Sequence, residues 1–157
     1  DLVIAMAVLE IVADPYRVVE EVHRVLNADG YVFAATPYMQ PTHMGVYDFT
    51  RFTYVGYRRL FRRFDEIALT QALGPASALA YSIQYFLTSF SDTPRIQSGL
   101  RLLGLLLTRP LKFLDKFLLK KKSALDAAAG FIFFGKKSQH TISDRELILE
   151  MQSRLAK

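Results

Sequence analysis

The sequence predicts an α/β fold, and three features of its N-terminal part support this prediction. Residues 1–9 (DLVIAMAVL) form a continuous apolar run with the length and composition of a strand buried on both faces. Asp14 and Pro15 then provide a helix N-cap and the residue favoured at the first helical position. Residues 31–36 form a second apolar run, which Pro37 closes. A strand, a helix and a strand joined by short connections predict a parallel βαβ unit.

The rest of the sequence continues the alternation of helices and strands. Helices are predicted for residues 55–63, 76–90 and 95–108, followed by a shorter helix to about Leu119. Further strands are predicted for residues 67–73 and 130–135. Ser143 and Glu146 form a capping box, which predicts a terminal helix. The arginines of the 55–63 helix are expected on a solvated face; they are Arg58, Arg59, Arg62 and Arg63.

Six short motifs in the first part of the chain resemble those of a known family. They are Asp1, Val8-Leu9-Glu10, Asp14-Pro15, Arg24-Val25-Leu26, Gly30 and Thr36-Pro37. Their order and spacing resemble the second half of a class I S-adenosylmethionine-dependent methyltransferase of the type 11-like kind. The segment YDFTRFT, residues 47–53, resembles one that a subgroup of these enzymes carries after the fifth strand. The sequence departs from the family at Ile11, where His is common, at residues 27–29, and in lacking the glycine-rich cofactor loop.

The resemblance implies a partial Rossmann-like methyltransferase sheet of the α/β class. This chain would supply strands four to seven, the last of them antiparallel, and residues 76–128 would be an inserted helical segment. Residues 1–137 would then form the C-terminal part of a methyltransferase domain, and residues 138–157 a polar linker and a C-terminal helix. Because the glycine-rich strand would lie upstream, we expect this fragment to be inactive alone.

The resemblance also implies S-adenosylmethionine as the cofactor. Five residues at the end of the first strand match positions that line the cofactor in the family: Ala5, Met6, Ala7, Leu9 and Glu10. Ligands of open α/β sheets bind outside the carboxyl ends of the strands, where these residues lie. The alternative is that they only complete a buried strand.

A polar loop, THMGVYDFTRFT at residues 42–53, leaves the carboxyl end of the second strand and should cover the substrate. His43 is the candidate catalytic base, since imidazole titrates near neutral pH, and Asp48 is a candidate catalytic residue that could orient it. The candidate substrate-binding residues are Tyr47, Arg51 and Phe52. Alternatively, Asp48 and Arg51 only pair with each other, and Phe52 belongs to the core.

No metal site is predicted, because the chain has no Cys and its three His are far apart in sequence.

Positive charge is concentrated in residues 95–122, which hold eight Lys or Arg and one acid, Asp115. This leucine-rich segment is too short in its uncharged parts to span a membrane. It predicts either a helical lid whose leucines pack on the sheet or a peripheral contact with an anionic membrane surface. Nucleic acid ranks below both as a partner, because few aromatic residues accompany the basic ones.

The leading functional prediction is methyl transfer to a small-molecule or glycan-like acceptor. The alternative is a non-catalytic methyltransferase-like domain that binds a membrane surface or a protein partner through its basic apolar helices. The expected location is the cytoplasm, and a peripheral position at the inner face of the membrane is left open.

Overall fold

The fold begins with a parallel strand–helix–strand unit. The computed structural model describes residues 1–156. Helix α1 (Pro15–Val25) connects strands β1 (Leu2–Met6) and β2 (Tyr31–Pro37). The two strands are parallel, and the register runs from Leu2 opposite Tyr31 to Met6 opposite Ala35. The predicted βαβ unit is therefore confirmed.

Two further strands complete a four-stranded sheet in the order β1-β2-β4-β3. They are β3 (Phe64–Leu73) and β4 (Gly130–Lys137). Strand β4 lies between β2 and β3 and is antiparallel to both. The antiparallel strand that the sequence predicted at residues 130–135 is therefore confirmed, and the sheet is a partial Rossmann-like sheet.

The remaining helices are α2 (Tyr54–Leu60), α3 (Pro75–Thr88), α4 (Pro94–Thr108), α5 (Asp115–Leu118) and α6 (Asp144–Leu155). Short stretches of 3₁₀-helix occur at Gly45–Tyr47, Leu111–Leu114 and Lys122–Ala127. The helix predicted for residues 55–63 is shorter than expected: it ends at Leu60, and residues 61–63 form a turn that leads into β3.

Local capping signals fix the starts of two helices. The Asp14 carboxylate accepts a hydrogen bond from the Arg17 backbone N–H at 3.0 Å, and Pro15 occupies the first helical position of α1. At α6, the Ser143 hydroxyl accepts from the backbone N–H of Glu146, whose carboxylate accepts from the backbone N–H of Ser143. Both starts are where the sequence predicted them.

An aromatic core lies between one face of the sheet and helices α1, α2 and α6. The rings of Phe61 and Phe133 are stacked with their centroids 4.3 Å apart, and Phe64 and Phe131 are buried beside them. Leu147 and Met151 of α6 belong to the same buried cluster. The C-terminal helix therefore contributes to the same core and contacts α2.

Strand β1 differs from the prediction of a nine-residue strand buried on both faces. It ends at Met6, and the side chains of Leu2, Ile4 and Met6 are each more than half exposed. The reason is that β1 is an edge strand whose inner residues Val3 and Ala5 pack against the core, which leaves the opposite face open.

The prediction of a solvated arginine face on α2 is wrong for Arg58. Its guanidinium is buried, with Nε 3.0 Å from Oε2 of Glu66 on β3. Arg59 and Arg62 form ion pairs with Asp144 at the start of α6. Since α6 packs over α2, Arg59 and Arg62 meet an acidic partner while their side chains stay 44% and 33% exposed.

The inserted segment forms a helical hairpin whose leucines do not pack on the sheet. Helix α4 packs mainly on α3, and Gly104 and Thr108 are its buried residues. A Cβ at Gly104 would lie 3.1 Å from Cα of Gln84, so only glycine permits this close approach without a shift. Gln84 Nε2 donates to Thr108 Oγ1 at 2.7 Å. The predicted lid with leucines against the sheet is therefore wrong for α4.

Candidate functional site

A cavity of about 330 Å³ lies at the carboxyl ends of β1 and β2. It forms there because the ends of two parallel strands meet at one edge of the sheet. Five parts of the chain contribute its lining. They are Met6, Ala7 and Glu10 at and after the end of β1; Ala35, Thr36 and Pro37 of β2; Gln40, Pro41 and His43 of the following loop; Ala72 of β3; and Tyr81, Gln84, Tyr85 and Arg101 of the helical hairpin.

Glu10 is a buried carboxylate at the floor of this cavity. Its side chain is fully inaccessible, and neither carboxylate oxygen has a hydrogen-bond partner within residues 1–156. Burial raises the pKa of Glu10 above its ordinary value, and its own backbone, His43 and Arg51 only partly oppose this. The Glu10 carbonyl accepts the backbone N–H groups of Phe49 and Thr50 at 2.8 and 3.2 Å, so this residue also anchors the polar loop.

His43 lies between two carboxylates. Its Nε2 atom is 3.8 Å from Oε1 of Glu10, and its Nδ1 atom is 3.5 Å from Oδ2 of Asp48. The His43 backbone N–H donates to the same Asp48 oxygen at 3.0 Å. The imidazole is 41% exposed and lines the cavity. The structure thus brings together the two residues that the sequence proposed for catalysis and adds Glu10 to them.

Asp48 is held as an anion by Arg51. The guanidinium donates to both Asp48 oxygens, with Nη2 2.6 Å from Oδ2. The hydrogen bonds from Arg51 and from the His43 backbone N–H lower the pKa of Asp48 to about 2, although burial opposes this decrease. Arg51 also donates to the carbonyls of Pro41 and Thr50, and so it fastens the loop instead of lining the cavity.

Tyr47 and Phe52 lie away from the cavity lining. Tyr47 sits in the 3₁₀ turn and is exposed. Phe52 is buried in the core, where its ring centroid is 6.4 Å from that of Tyr16 and 5.9 Å from that of Tyr57. The placement of Phe52 follows the alternative that the sequence left open, because a large apolar ring is stabilised by burial.

Three of the five residues predicted for the cofactor line the cavity, namely Met6, Ala7 and Glu10. Ala5 and Leu9 are buried in the core beside it. Ala7 has a backbone φ of 54°, and its N–H donates to the Ala35 carbonyl at 2.9 Å. A left-handed conformation is costly for a residue other than glycine, and such strain concentrates at functional sites.

These residues fit part of S-adenosylmethionine. The small side chains of Ala7 and Ala35 leave the cavity open beside the strand ends. The unpartnered carboxylate of Glu10 is a group that a positively charged or hydrogen-bond-donating ligand would satisfy.

Sequence reasoning missed several polar residues of the site. The hydroxyls of Thr36 and Tyr57 are buried, and Tyr57 lies close to the cavity residues Thr36 and Glu10. Burial raises the pKa of Tyr57, the Thr36 hydroxyl opposes this increase, and the charge of Glu10 adds to it. Gln84 and Arg101 come from the helical hairpin, which the sequence did not connect with the cavity. Among these residues, only Thr36 could have been connected with the site from the sequence, because it lies at the end of a predicted strand.

Residues 1–34 match a protein-family model described as a methyltransferase domain. No curated protein matches the chain.

Among solved structures, two of the StiE O-MT domain resemble the chain at 12% and 15% identity, with TM-scores of 0.47 and 0.48. They cover 97% and 98% of this chain. The [4+2]-cyclase SpnF is similar at 14% identity over 88% of the chain, with a TM-score of 0.40. The chain spans about half the length of these structures, 49% in each case.

The assignment depends on the N-terminal segment and on the sheet. The strands that carry the matched segment are those that border the cavity, and β4 has the antiparallel direction that the resemblance implied. The match over residues 1–34 confirms that this part of the chain resembles class I S-adenosylmethionine-dependent methyltransferases, as the sequence predicted.

Proposed function

We propose that the protein transfers a methyl group from S-adenosylmethionine to a small-molecule or glycan-like acceptor, with His43 as general base. The observation that carries this proposal is the position of His43, which lines the cavity between the carboxylates of Glu10 and Asp48. Met6, Ala7 and Glu10 would hold part of the cofactor. When bound, S-adenosylmethionine supplies an electrophilic methyl group on a sulfonium.

The first contribution of the chain's own residues is to remove a proton from the acceptor. An acceptor hydroxyl becomes a better nucleophile when a neighbouring base removes its proton, an effect of about 10²–10⁴ in rate. Asp48 stays ionised because its pKa is lowered to about 2, and it faces Nδ1 of His43. An anion on that side favours the tautomer in which Nε2 is free to accept the proton. Glu10, 3.8 Å from Nε2, would then stabilise the imidazolium.

Positioning is the second contribution. The hairpin places Tyr81, Gln84, Tyr85 and Arg101 around the cavity. Aromatic rings and an amide suit a ring-shaped acceptor that bears hydroxyl groups, and the guanidinium of Arg101 suits an anionic substituent. Holding an acceptor in line with a reactive group contributes on the order of 7–11 kcal/mol in ideal cases.

The test replaces His43 in the intact protein. His43→Gln should reduce methyl transfer from radiolabelled S-adenosylmethionine to phenolic and sugar acceptors by about 100-fold or more. The affinity for S-adenosylmethionine, measured by calorimetry, should change little. His140→Gln is the matched control, because His140 is an exposed histidine outside the cavity. Unchanged turnover in His43→Gln would remove the assignment of the base.

A further inference from the structure

We propose that the outer face of the helical hairpin docks on an anionic lipid bilayer. This proposal concerns a surface outside the methyl-transfer cavity and does not depend on the proposed function. We name the surface the leucine face and define it by Leu102, Leu103, Leu106 and Leu107 of α4 together with Phe113 and Phe117. These six side chains are between 46% and 71% exposed. Contiguous exposed apolar groups of this size mark interaction surfaces.

The leucine face is exposed because α4 is attached to α3 through a narrow seam. Gly104 and Thr108 are the buried residues of α4, and the seam is closed by the hydrogen bond from Gln84 to Thr108. Thr108 also donates to the Gly104 carbonyl at 2.7 Å. Small and polar residues therefore hold the helix in place, and its leucines are not required for packing within the hairpin.

The basic residues in positions 95–122 share the segment with one acid, Asp115, which does not reach the surface. Asp115 is buried and accepts hydrogen bonds from the backbone N–H groups of Gly74, Ala76 and Ser77 and from the Ser77 hydroxyl. Lys112 and Lys116 lie over the rings of Tyr81 and Phe113, at 4.6 and 5.6 Å from their centroids. The segment thus presents positive charge next to exposed apolar groups.

Exposed apolar groups next to positive charge favour an anionic bilayer over other binding partners of the leucine face. An apolar face beside cationic groups lies in the interface of a membrane, and each basic residue near an anionic surface contributes about 1 kcal/mol. Within residues 1–156 no helix is long and apolar enough to cross the hydrocarbon layer, so the contact would be superficial. A second copy of the chain would cover the leucines, but it would bring two strongly basic segments together.

Docking would also locate the cavity relative to the bilayer. Arg101 lines the cavity and is the neighbour of Leu102 on α4. Arg101 shares the inner side of α4 with Gly104 and Thr108, so α4 would lie between the cavity and the lipid headgroups when the leucine face meets the membrane.

The test is co-sedimentation of the intact protein with vesicles. The probes are vesicles of phosphatidylcholine alone and of phosphatidylcholine mixed with phosphatidylglycerol. Binding is expected only to the mixed vesicles and should weaken at high salt. Lys120→Gln with Lys121→Gln should lower the partition coefficient about 30-fold. Leu102→Gln with Leu106→Gln should lower it by at least as much, because it removes the apolar contact.

Matched controls lie on α6, where Leu149 and Arg145 are exposed outside the hairpin. Leu149→Gln and Arg145→Gln should leave vesicle binding unchanged. In the test variants and in the controls the replaced side chains are exposed, so the circular dichroism spectrum and the Tm of each variant should match those of the unaltered protein. Equal binding to both vesicle types would overturn the proposal. The proposal would also be overturned if the unaltered protein self-associated without binding vesicles and the double variant Leu102→Gln with Leu106→Gln no longer self-associated. That result would identify the leucine face as a dimer interface.

Discussion

The Nε2 atom of His43 lies 3.8 Å from Oε1 of Glu10, a carboxylate without a hydrogen-bond partner in the described part of the chain. A buried carboxylate in this position is costly to ionise and is stabilised when a positive charge forms beside it. The raised pKa of Glu10 therefore makes the stability of the fold depend on pH.

Replacing Glu10 by Gln should stabilise the protein at neutral pH. Because burial raises the pKa of Glu10 above 4.5, its stabilising contribution is complete below that value and is lost as pH rises through the folded pKa. Gln carries no charge to desolvate, so the free energy of unfolding at neutral pH should rise by about 1–2 kcal/mol.

Denaturant titrations over a series of pH values measure this effect. In Glu10→Gln the decline in stability above the ordinary pKa of 4.5 should become shallower. Glu20→Gln, an exposed carboxylate on α1, is the matched control. An identical pH profile for Glu10→Gln and the unaltered protein would contradict the prediction.

Replacing Asp48 by Asn should remove a contribution to acid stability. The pKa of Asp48 is lowered from 3.8 to about 2, so its stabilising contribution is present above 3.8 and is lost as pH falls through about 2. Asp48→Asn should cost about 1–2 kcal/mol near neutral pH, and the difference should shrink over that acid range. Acid unfolding followed by circular dichroism measures it, with Asp92→Asn, an exposed residue, as the control. A difference that stays constant down to pH 2 would count against the Arg51 pair as its cause.

Replacing Thr108 by Val should loosen the hairpin seam. The substitution keeps the shape of the side chain but leaves the buried Gln84 amide without its partner, which costs about 1–3 kcal/mol. Adding Gln84→Leu should recover part of the loss, since both polar groups are then removed. Urea unfolding of the two single variants and the double variant measures the coupling. Strictly additive losses would show that the hydrogen bond does not hold the seam.

Replacing Asp115 by Asn should destabilise the start of α3. Asp115 takes the place of an N-cap, because Gly74, which precedes the helix, has no side chain to offer. A Cβ at Gly74 would collide with the Asp115 carboxylate, so the glycine makes this approach possible. The amide of Asn has one acceptor oxygen fewer, and we expect a loss of about 1–3 kcal/mol. Hydrogen exchange of Ala76 and Ser77 should accelerate, and unchanged rates would refute the capping role.

Local signals in the sequence predicted most of the elements. Asp14 with Pro15, and Ser143 with Glu146, act on backbone groups within a few residues of themselves, so their effect is readable without the fold. Arg58 could not be placed in this way. Its burial depends on Glu66 and on α6, which are distant in sequence.

The site was predictable where it depends on strand ends. Met6, Ala7, Glu10 and His43 line the cavity because parallel strands bring their carboxyl ends to one edge. The contribution of the hairpin was not predictable, because the packing of α3 and α4 is determined by Gly104, Gln84 and Thr108, whose pattern is too short to recognise in a sequence.

The narrow seam between α3 and α4 has a consequence for how the protein can diversify. Gly104 and Thr108 fasten α4 to its neighbour, while the aromatic core lies under the other face of the sheet. Substitutions on the exposed side of α4 can therefore change what this surface binds without disturbing the packing of the hairpin or of the core. Surface recognition and foldability are, in this architecture, assigned to separate sets of residues.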